Sequence, residues 1–193
     1  LFEPLDGIDL GECDVTSDDD IDKLFERLGS KVDTLDGLVH TPAFAKEEDL
    51  VNGFINTSRD GFKLALDISC YSLIALCRSA LPLMEVRGGS VIALSYIGGE
   101  KAVKNYNVMG VAKSALESSI RYLAADLGPK NIRANAISAG PMRTLAARGL
   151  KDFAVMYDGM KEKAPLKRNI TTAEVGDTAT FLCSDLASGI TGE

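Results

Sequence analysis

Residues 90–138, SVIALSYIGGEKAVKNYNVMGVAKSALESSIRYLAADLGPKNIRANAIS, decide the fold. Ser90 to Leu94 is a short apolar run that predicts a strand. Tyr106 to Leu127 predicts a helix, with Ala112, Leu116, Ile120, Leu123 and Leu127 on one stripe and Gly128 closing it. Asn131 to Ser138 predicts the next strand. Upstream, Ser58 caps a long helix in which Phe62, Leu66, Cys70, Leu73, Cys77 and Ala80 recur at steps of three or four. Gly37 to His40 is a strand before it. Ser17, followed by Asp18, Asp19 and Asp20, opens a helix whose face carries Ile21, Leu24, Phe25 and Leu28, ending by Gly29. A brief strand is expected within Asp6 to Cys13, and a last helix over Thr172 to Asp185. Strands alternating with helices of this length predict an α/β fold, a doubly wound parallel sheet with right-handed crossovers.

Length and composition bound what such a fold serves. The chain has 193 residues and 20.6 kDa, enough for one domain, and its 46% hydrophobic content excludes global disorder. A net charge of −7 argues against a nucleic-acid partner, which needs a basic face. No uninterrupted apolar run approaches a membrane span, so a soluble protein without a membrane partner is expected. Four cysteines without a CxxC pair suggest reduced thiols and a cytoplasmic setting. The lone His40 excludes a histidine-rich metal site, and no metal is expected.

In an open α/β sheet, ligands bind beyond the carboxyl ends of the strands. That selects Asp14-Val15, Thr41-Pro42-Ala43, Ser95-Tyr96 and Ala139-Gly140-Pro141. Tyr106 and Lys113 lie seven apart, nearly two helical turns, so they share a face. An ammonium near a phenol favours the phenolate and predicts a lowered tyrosine pKa. Such a pair suits proton donation or oxyanion stabilisation. The plain alternative is a surface tyrosine and a solvated lysine.

Tyr96-x9-Tyr106-Asn-x-Met-Gly-x-Ala-Lys113, followed by Asn135-Ala-Ile-Ser-Ala-Gly-Pro141-x-Arg-Thr144, resembles the enoyl-acyl-carrier-protein reductases of type II fatty acid synthesis. These are a divergent branch of the short-chain dehydrogenase/reductase superfamily. Cys13-Asp14-Val15, Leu35-Asp-Gly-x-Val-His40, Thr57-x-Arg-Asp-Gly-Phe62 and Phe181-Leu-Cys-Ser-Asp185 extend the resemblance along the chain. The commoner superfamily pattern puts its tyrosine where Met109 stands and its serine where Tyr96 stands. The resemblance implies a Rossmann-like fold and reduction of the trans-2 double bond of an enoyl-acyl-carrier-protein thioester by a reduced nicotinamide, NADH ahead of NADPH. It implies that Tyr106 hydrogen-bonds the developing enolate, Lys113 holds the nicotinamide ribose, and Tyr96 supports the acyl site. It places Asp14 and Val15 beside the adenine, Thr41 and Pro42 along the cofactor, and Met142, Arg143, Thr144, Leu145 and Ala146 under the nicotinamide and pyrophosphate. Ala45, Met109, Phe153 and Met156 join the two tyrosines in contacting substrate, with residues 150–163 as a mobile substrate-binding segment. A homotetramer is implied, with the Ser58 and Tyr106 helices at the contacts.

Thr41-Pro42 departs from the family's usual serine and aliphatic residue, and Pro42 has no N–H to offer a cofactor. Met142 replaces a usual β-branched residue. His40 is expected to pack rather than react. The family's first two strands, the glycine-rich turn between strand and helix, and its closing strand do not occur in these 193 residues, which read as a single partial catalytic domain. Two other readings remain: a 3-oxoacyl thioester or ketone reductase of the same superfamily, and an inactive fragment lacking the cofactor loop. A Ser-His-Asp hydrolase is disfavoured, since no G-x-S-x-G elbow occurs.

Overall fold

The computed structural model describes residues 7–144 and 153–193. Three parallel strands form its sheet: β1 (Gly37–His40), β2 (Gly89–Ser95) and β3 (Ile132–Ser138), in the order β1-β2-β3. Gly37 pairs with Ser90, and Gly89 with Ile132. The expected strand within Asp6 to Cys13 does not form among the described residues. There the backbone turns instead, with Gly11 at φ 81° donating its N–H to Asp9 Oδ1 at 2.7 Å.

The helices follow their caps. Ser17 Oγ accepts from Asp20 N–H at the start of α1 (Asp18–Gly29). A five-residue helix, α2 (Glu47–Val51), has no counterpart in the sequence reading; it is too short to show a stripe. Ser58 Oγ accepts from Gly61 N–H and opens α3 (Arg59–Leu66), which runs through a π turn, Asp67–Tyr71, into α4 (Ser72–Met84). The long α5 (Asn107–Leu127) leads to β3; α6 (Phe153–Lys163) and α7 (Thr172–Cys183) follow. Thr171 and Glu174 form a reciprocal capping box at α7.

β2 alternates between two cores. Val91 and Ala93 pack against Leu73, Cys77 and Ala80 of α4 and Leu116 and Ile120 of α5. Ile92 points the other way, onto Val175 and Leu182 of α7 with Ile137 of β3. Each fully buried aliphatic side chain of this kind contributes about 1.5–3 kcal/mol relative to exposure. Beyond β3, the Gly192 N–H reaches Ala134 O at 2.7 Å and Ala136 N–H reaches Glu193 O at 2.6 Å.

The stripe expected on the Ser58 helix is out of phase in its first half. Phe62 is 37% exposed, while Gly61, Ala65 and Ser69 are buried. From Cys70 on, the expected positions Cys70, Leu73, Cys77 and Ala80 are all buried. The π turn separates the halves: its wider turn lets buried positions recur at steps of four across it. The continuous helix Arg59–Met84, with mean hydropathy 1.5 in its most apolar window, is long and apolar enough to cross a membrane. That corrects the expectation drawn from uninterrupted runs. Half of that window is buried inside the fold, in the manner of a core helix.

Candidate active site

The carboxyl ends of the strands open onto a cavity of about 540 Å³. Its walls come from separate elements: Ala43, Phe44 and Ala45 after β1; Glu47 and Leu50 of α2; Leu94, Ser95 and Tyr96 at the end of β2; Tyr106 and Met109 at the start of α5. Ala139–Met142 and Thr144 follow β3, and Phe153 and Met156 of α6 close the far side. All six expected substrate residues, Ala45, Tyr96, Tyr106, Met109, Phe153 and Met156, therefore line one cavity.

The two tyrosines touch. Their ring centroids are 4.9 Å apart at an interplanar angle of 70°, and Tyr96 Oη lies 3.5 Å from the Met156 sulfur. Tyr106 lies against Gly98, where an added Cβ would overlap its ring. Asn107, beside it, has φ 40°, and its Nδ2 donates to the Leu50 carbonyl at 2.5 Å.

Lys113 is 6% exposed, and its ammonium donates to the Leu94 carbonyl at 2.6 Å. Burial pushes it down to about 8, against the opposing pull of Cys70 and Glu117. The expected lowering of the Tyr106 pKa does not occur. Burial, then the neighbouring Tyr96 and Glu117, push that phenol up instead, because desolvation disfavours the phenolate and the lysine is engaged with the β2 backbone. Tyr106 is therefore a neutral O–H donor at physiological pH.

The other sequence-selected residues lie around this centre. Asp14 is exposed; its Oδ1 accepts from Thr16 N–H at 2.9 Å and from Thr16 Oγ1 at 2.8 Å, which holds the carboxyl below its ordinary pKa. Val15 packs in a small core with Ile21, Ala75 and Leu76. Thr41 and Pro42 lie in the segment after β1, outside the cavity lining. The Arg143 guanidinium stacks 4.7 Å over the Tyr157 ring. Leu145 and Ala146 lie outside the described residues. His40 is 1% exposed and its Nε2 is 2.7 Å from Ser72 Oγ. Ser72 directs its own proton to the Ile68 carbonyl, so Nε2 carries the imidazole proton. Among the described residues no three His, Cys, Asp or Glu side chains gather as a metal site.

Sequence reading selected Ser95 as a strand end but missed its partner, Glu117. The Ser95 hydroxyl donates to Glu117 Oε1, one helical turn beyond Lys113. The i, i+4 spacing of Lys113 and Glu117 was the available signal. Phe44 and Leu50 carried none.

The donors present suit the nicotinamide end of a dinucleotide. Lys113 has three N–H donors and spends one on Leu94, leaving two for vicinal hydroxyls. Asp14 Oδ2 has no hydrogen bond among the described residues and can accept from an exocyclic amine.

Fold and site together define a nicotinamide-dependent oxidoreductase of the short-chain dehydrogenase/reductase type. A family model described as enoyl-(acyl carrier protein) reductase matches residues 4–193. The chain belongs to the enoyl-acyl-carrier-protein reductase family, which reduces the trans-2 double bond of enoyl thioesters in fatty acid biosynthesis. It is 53% identical over 181 residues to the NADH enoyl-acyl-carrier-protein reductase FabI of Bacillus subtilis, covering 94% of this chain and 70% of that one. It is 54% identical over 184 residues to the NADPH FabI of Staphylococcus aureus strain MRSA252, covering 95% and 72%. The Bacillus cereus enzyme solved with NADP+ and indole naphthyridinone superposes with a TM-score of 0.93 at 52% identity, covering 99% of this chain and 75% of that one.

Proposed function

We propose that the cavity between the strand ends and α6 is where this enzyme reduces an enoyl-acyl-carrier-protein thioester, with Tyr106 as its oxyanion donor. The observation that carries this is the Tyr106 phenol, kept neutral by burial and facing an apolar cavity beside Tyr96. When bound, the reduced nicotinamide supplies the hydride equivalent to the β-carbon. Charge then collects on the thioester oxygen, and the Tyr106 O–H stabilises it there, an interaction that strengthens as the reaction proceeds. Tyr96 holds the Tyr106 ring edge-on and lines the acyl site. Lys113 binds the ribose hydroxyls and places a positive charge near the developing anion. Ala45, Met109, Phe153 and Met156 form the apolar seat of the acyl chain, with residues 153–163 as its mobile cover; residues 150–152 of the expected segment lie outside the described residues.

Asp14 and Val15 flank the adenine; Thr41, Pro42, Met142, Arg143, Thr144, Leu145 and Ala146 follow the cofactor toward the nicotinamide. NADH is the proposed reductant, supported by the naming of the Bacillus subtilis relative, although the Staphylococcus aureus relative is named for NADPH. The proposed assembly is a cytoplasmic homotetramer. Exposed apolar surface on its proposed contact helices, Phe62, Tyr71 and Tyr122, supports this. The net charge of −7 speaks against a nucleic-acid partner.

The deciding experiment follows NADH consumption with a trans-2-enoyl-acyl-carrier-protein substrate, NADPH in parallel. Enoyl-dependent turnover with NADH preferred is the expected result. Turnover on a 3-oxoacyl thioester but none on the enoyl substrate would overturn the reading.

A further inference from the structure

Ser69, at the centre of the π turn, is fully buried and takes no part in the proposed chemistry. Its hydroxyl accepts from the Phe44 N–H at 3.0 Å. Its one proton is shared between the Phe44 carbonyl at 3.3 Å and the Met109 sulfur at 3.7 Å. Phe44 belongs to the segment joining β1 to α2, and Met109 to the first turn of α5. Both line the cavity. A single buried hydroxyl thus ties together two walls that share no secondary structure.

Of the two walls, the Phe44 segment has few other fixings, whereas Met109 is also held by α5 and by a cluster with Leu50, Ala65 and Val108. Phe44 is 47% exposed, and the segment from Thr41 to Lys46 belongs to no helix or strand. Met109 is an unbranched, adaptable side chain whose position depends on what surrounds it. A π turn carries one residue more per turn than an α-helix, and such insertions are frequent at functional sites.

We propose that Ser69 is a positioning residue that sets the separation of the Phe44 and Met109 walls and so determines which acyl chain lengths the cavity accepts. The inference rests on the reading of this cavity as the acyl site. Removing the hydroxyl frees the Phe44 segment and the Met109 thioether together. The cavity then loses its discrimination between short and long chains, while the cofactor end is untouched.

The test measures kcat and KM for butenoyl, octenoyl and dodecenoyl thioesters, and KM for NADH, in the native enzyme, Ser69→Ala, Ser69→Cys and Met109→Ala. Ser69→Cys keeps the side-chain shape at slightly greater volume and weakens the hydrogen bonds, so it serves if the alanine variant fails to fold. In the Ser69 variants the ratio of dodecenoyl to butenoyl KM is expected to move about threefold or more, the loss of roughly one net hydrogen bond. The NADH KM is expected to stay within about twofold, a difference too small to represent a lost contact. If Met109→Ala moves the ratio and neither Ser69 variant does, the role of Ser69 falls and the acyl-site reading stands. If none moves it, the acyl-site reading falls and takes the Ser69 proposal with it. Equal rises in every KM, NADH included, would make Ser69 a purely structural residue and overturn the proposal.

Discussion

The ring of Tyr96 stands edge-on to that of Tyr106, centroids 4.9 Å apart. The contact fixes the ring of the proposed oxyanion donor while leaving its O–H free to point at substrate. Edge-to-face pairs of this kind are worth about 0.5–1.5 kcal/mol beyond their buried area.

Tyr106→Phe keeps that ring contact and removes only the donor. Turnover is expected to fall by about two to three orders of magnitude, the usual cost of one oxyanion-hole donor. Fluorescence titration should find NADH affinity little changed. A Phe variant with native kcat would remove Tyr106 from the chemistry.

Gly98→Ala tests the same geometry from outside. The new Cβ overlaps the Tyr106 ring and comes within 3.2 Å of Tyr96 Cδ1. Overpacking of this sort costs about 1–3 kcal/mol of stability. Displacing a reacting group by about 1 Å can cost a hundredfold in rate. A large kcat loss in a protein that still melts cooperatively is the expected result; native kcat would show that the Tyr106 ring can yield without consequence.

Lys113 titrates at about 8 because burial disfavours its charge. It is an ammonium below that pH and a neutral amine above it, so ribose binding should weaken as pH rises. The NADH KM measured between pH 6.5 and 9.5 is expected to climb above about pH 8. Lys113→Met should raise that KM roughly tenfold or more at neutral pH, the worth of a charged hydrogen bond, and flatten the profile. A flat native profile together with an unchanged NADH KM in Lys113→Met would exclude Lys113 from cofactor binding.

His40 links the fold to acid. Burial, then the Lys113 charge, lower its folded pKa to about 4, from an ordinary value of 6.5. Between those pH values the unfolded chain binds the extra proton, so this group's contribution is complete above about 6.5 and is lost as pH falls toward 4. The loss amounts to roughly 3 kcal/mol at most. Urea unfolding at pH 7 and pH 4.5 should show His40→Gln losing less stability on acidification than the native chain. Equal losses would rule out the imidazole.

Much of this was legible in the residues. Ser17 and Ser58 announced helices because capping is local chemistry, readable within four residues. The strands ending at His40, Ser95 and Ser138 were legible as short apolar runs, and the ligand rule for parallel sheets led from their ends to the cavity. The spacing of Tyr106 and Lys113 set them on one helix face but carried no measure of burial. Desolvation of Tyr106 and the Leu94 carbonyl on Lys113 are products of tertiary packing, and they reversed the expected tyrosine shift. Ser69, Leu50 and Glu117 meet their partners across 25, 57 and 22 residues, beyond any local pattern.

The helix from Arg59 to Met84 is built in two phases joined by Asp67–Tyr71. One residue of α-helix is worth about 100° of rotation. Deleting one residue inside that turn and relaxing it to ordinary α geometry would leave the two halves in phase, because the turn holds one residue more than an α turn; deleting one between Gly61 and Asp67 would instead swing Gly61 and Phe62 round. The Ser58 cap, locked to the Asp49 carboxylate at 2.9 Å, would have to move with them. This helix therefore has a counted length outside its π turn: a point substitution can be absorbed by repacking, but a lost residue only at that turn. A one-residue deletion between Gly61 and Asp67 is expected to lower the melting temperature more than a one-residue deletion within the π turn.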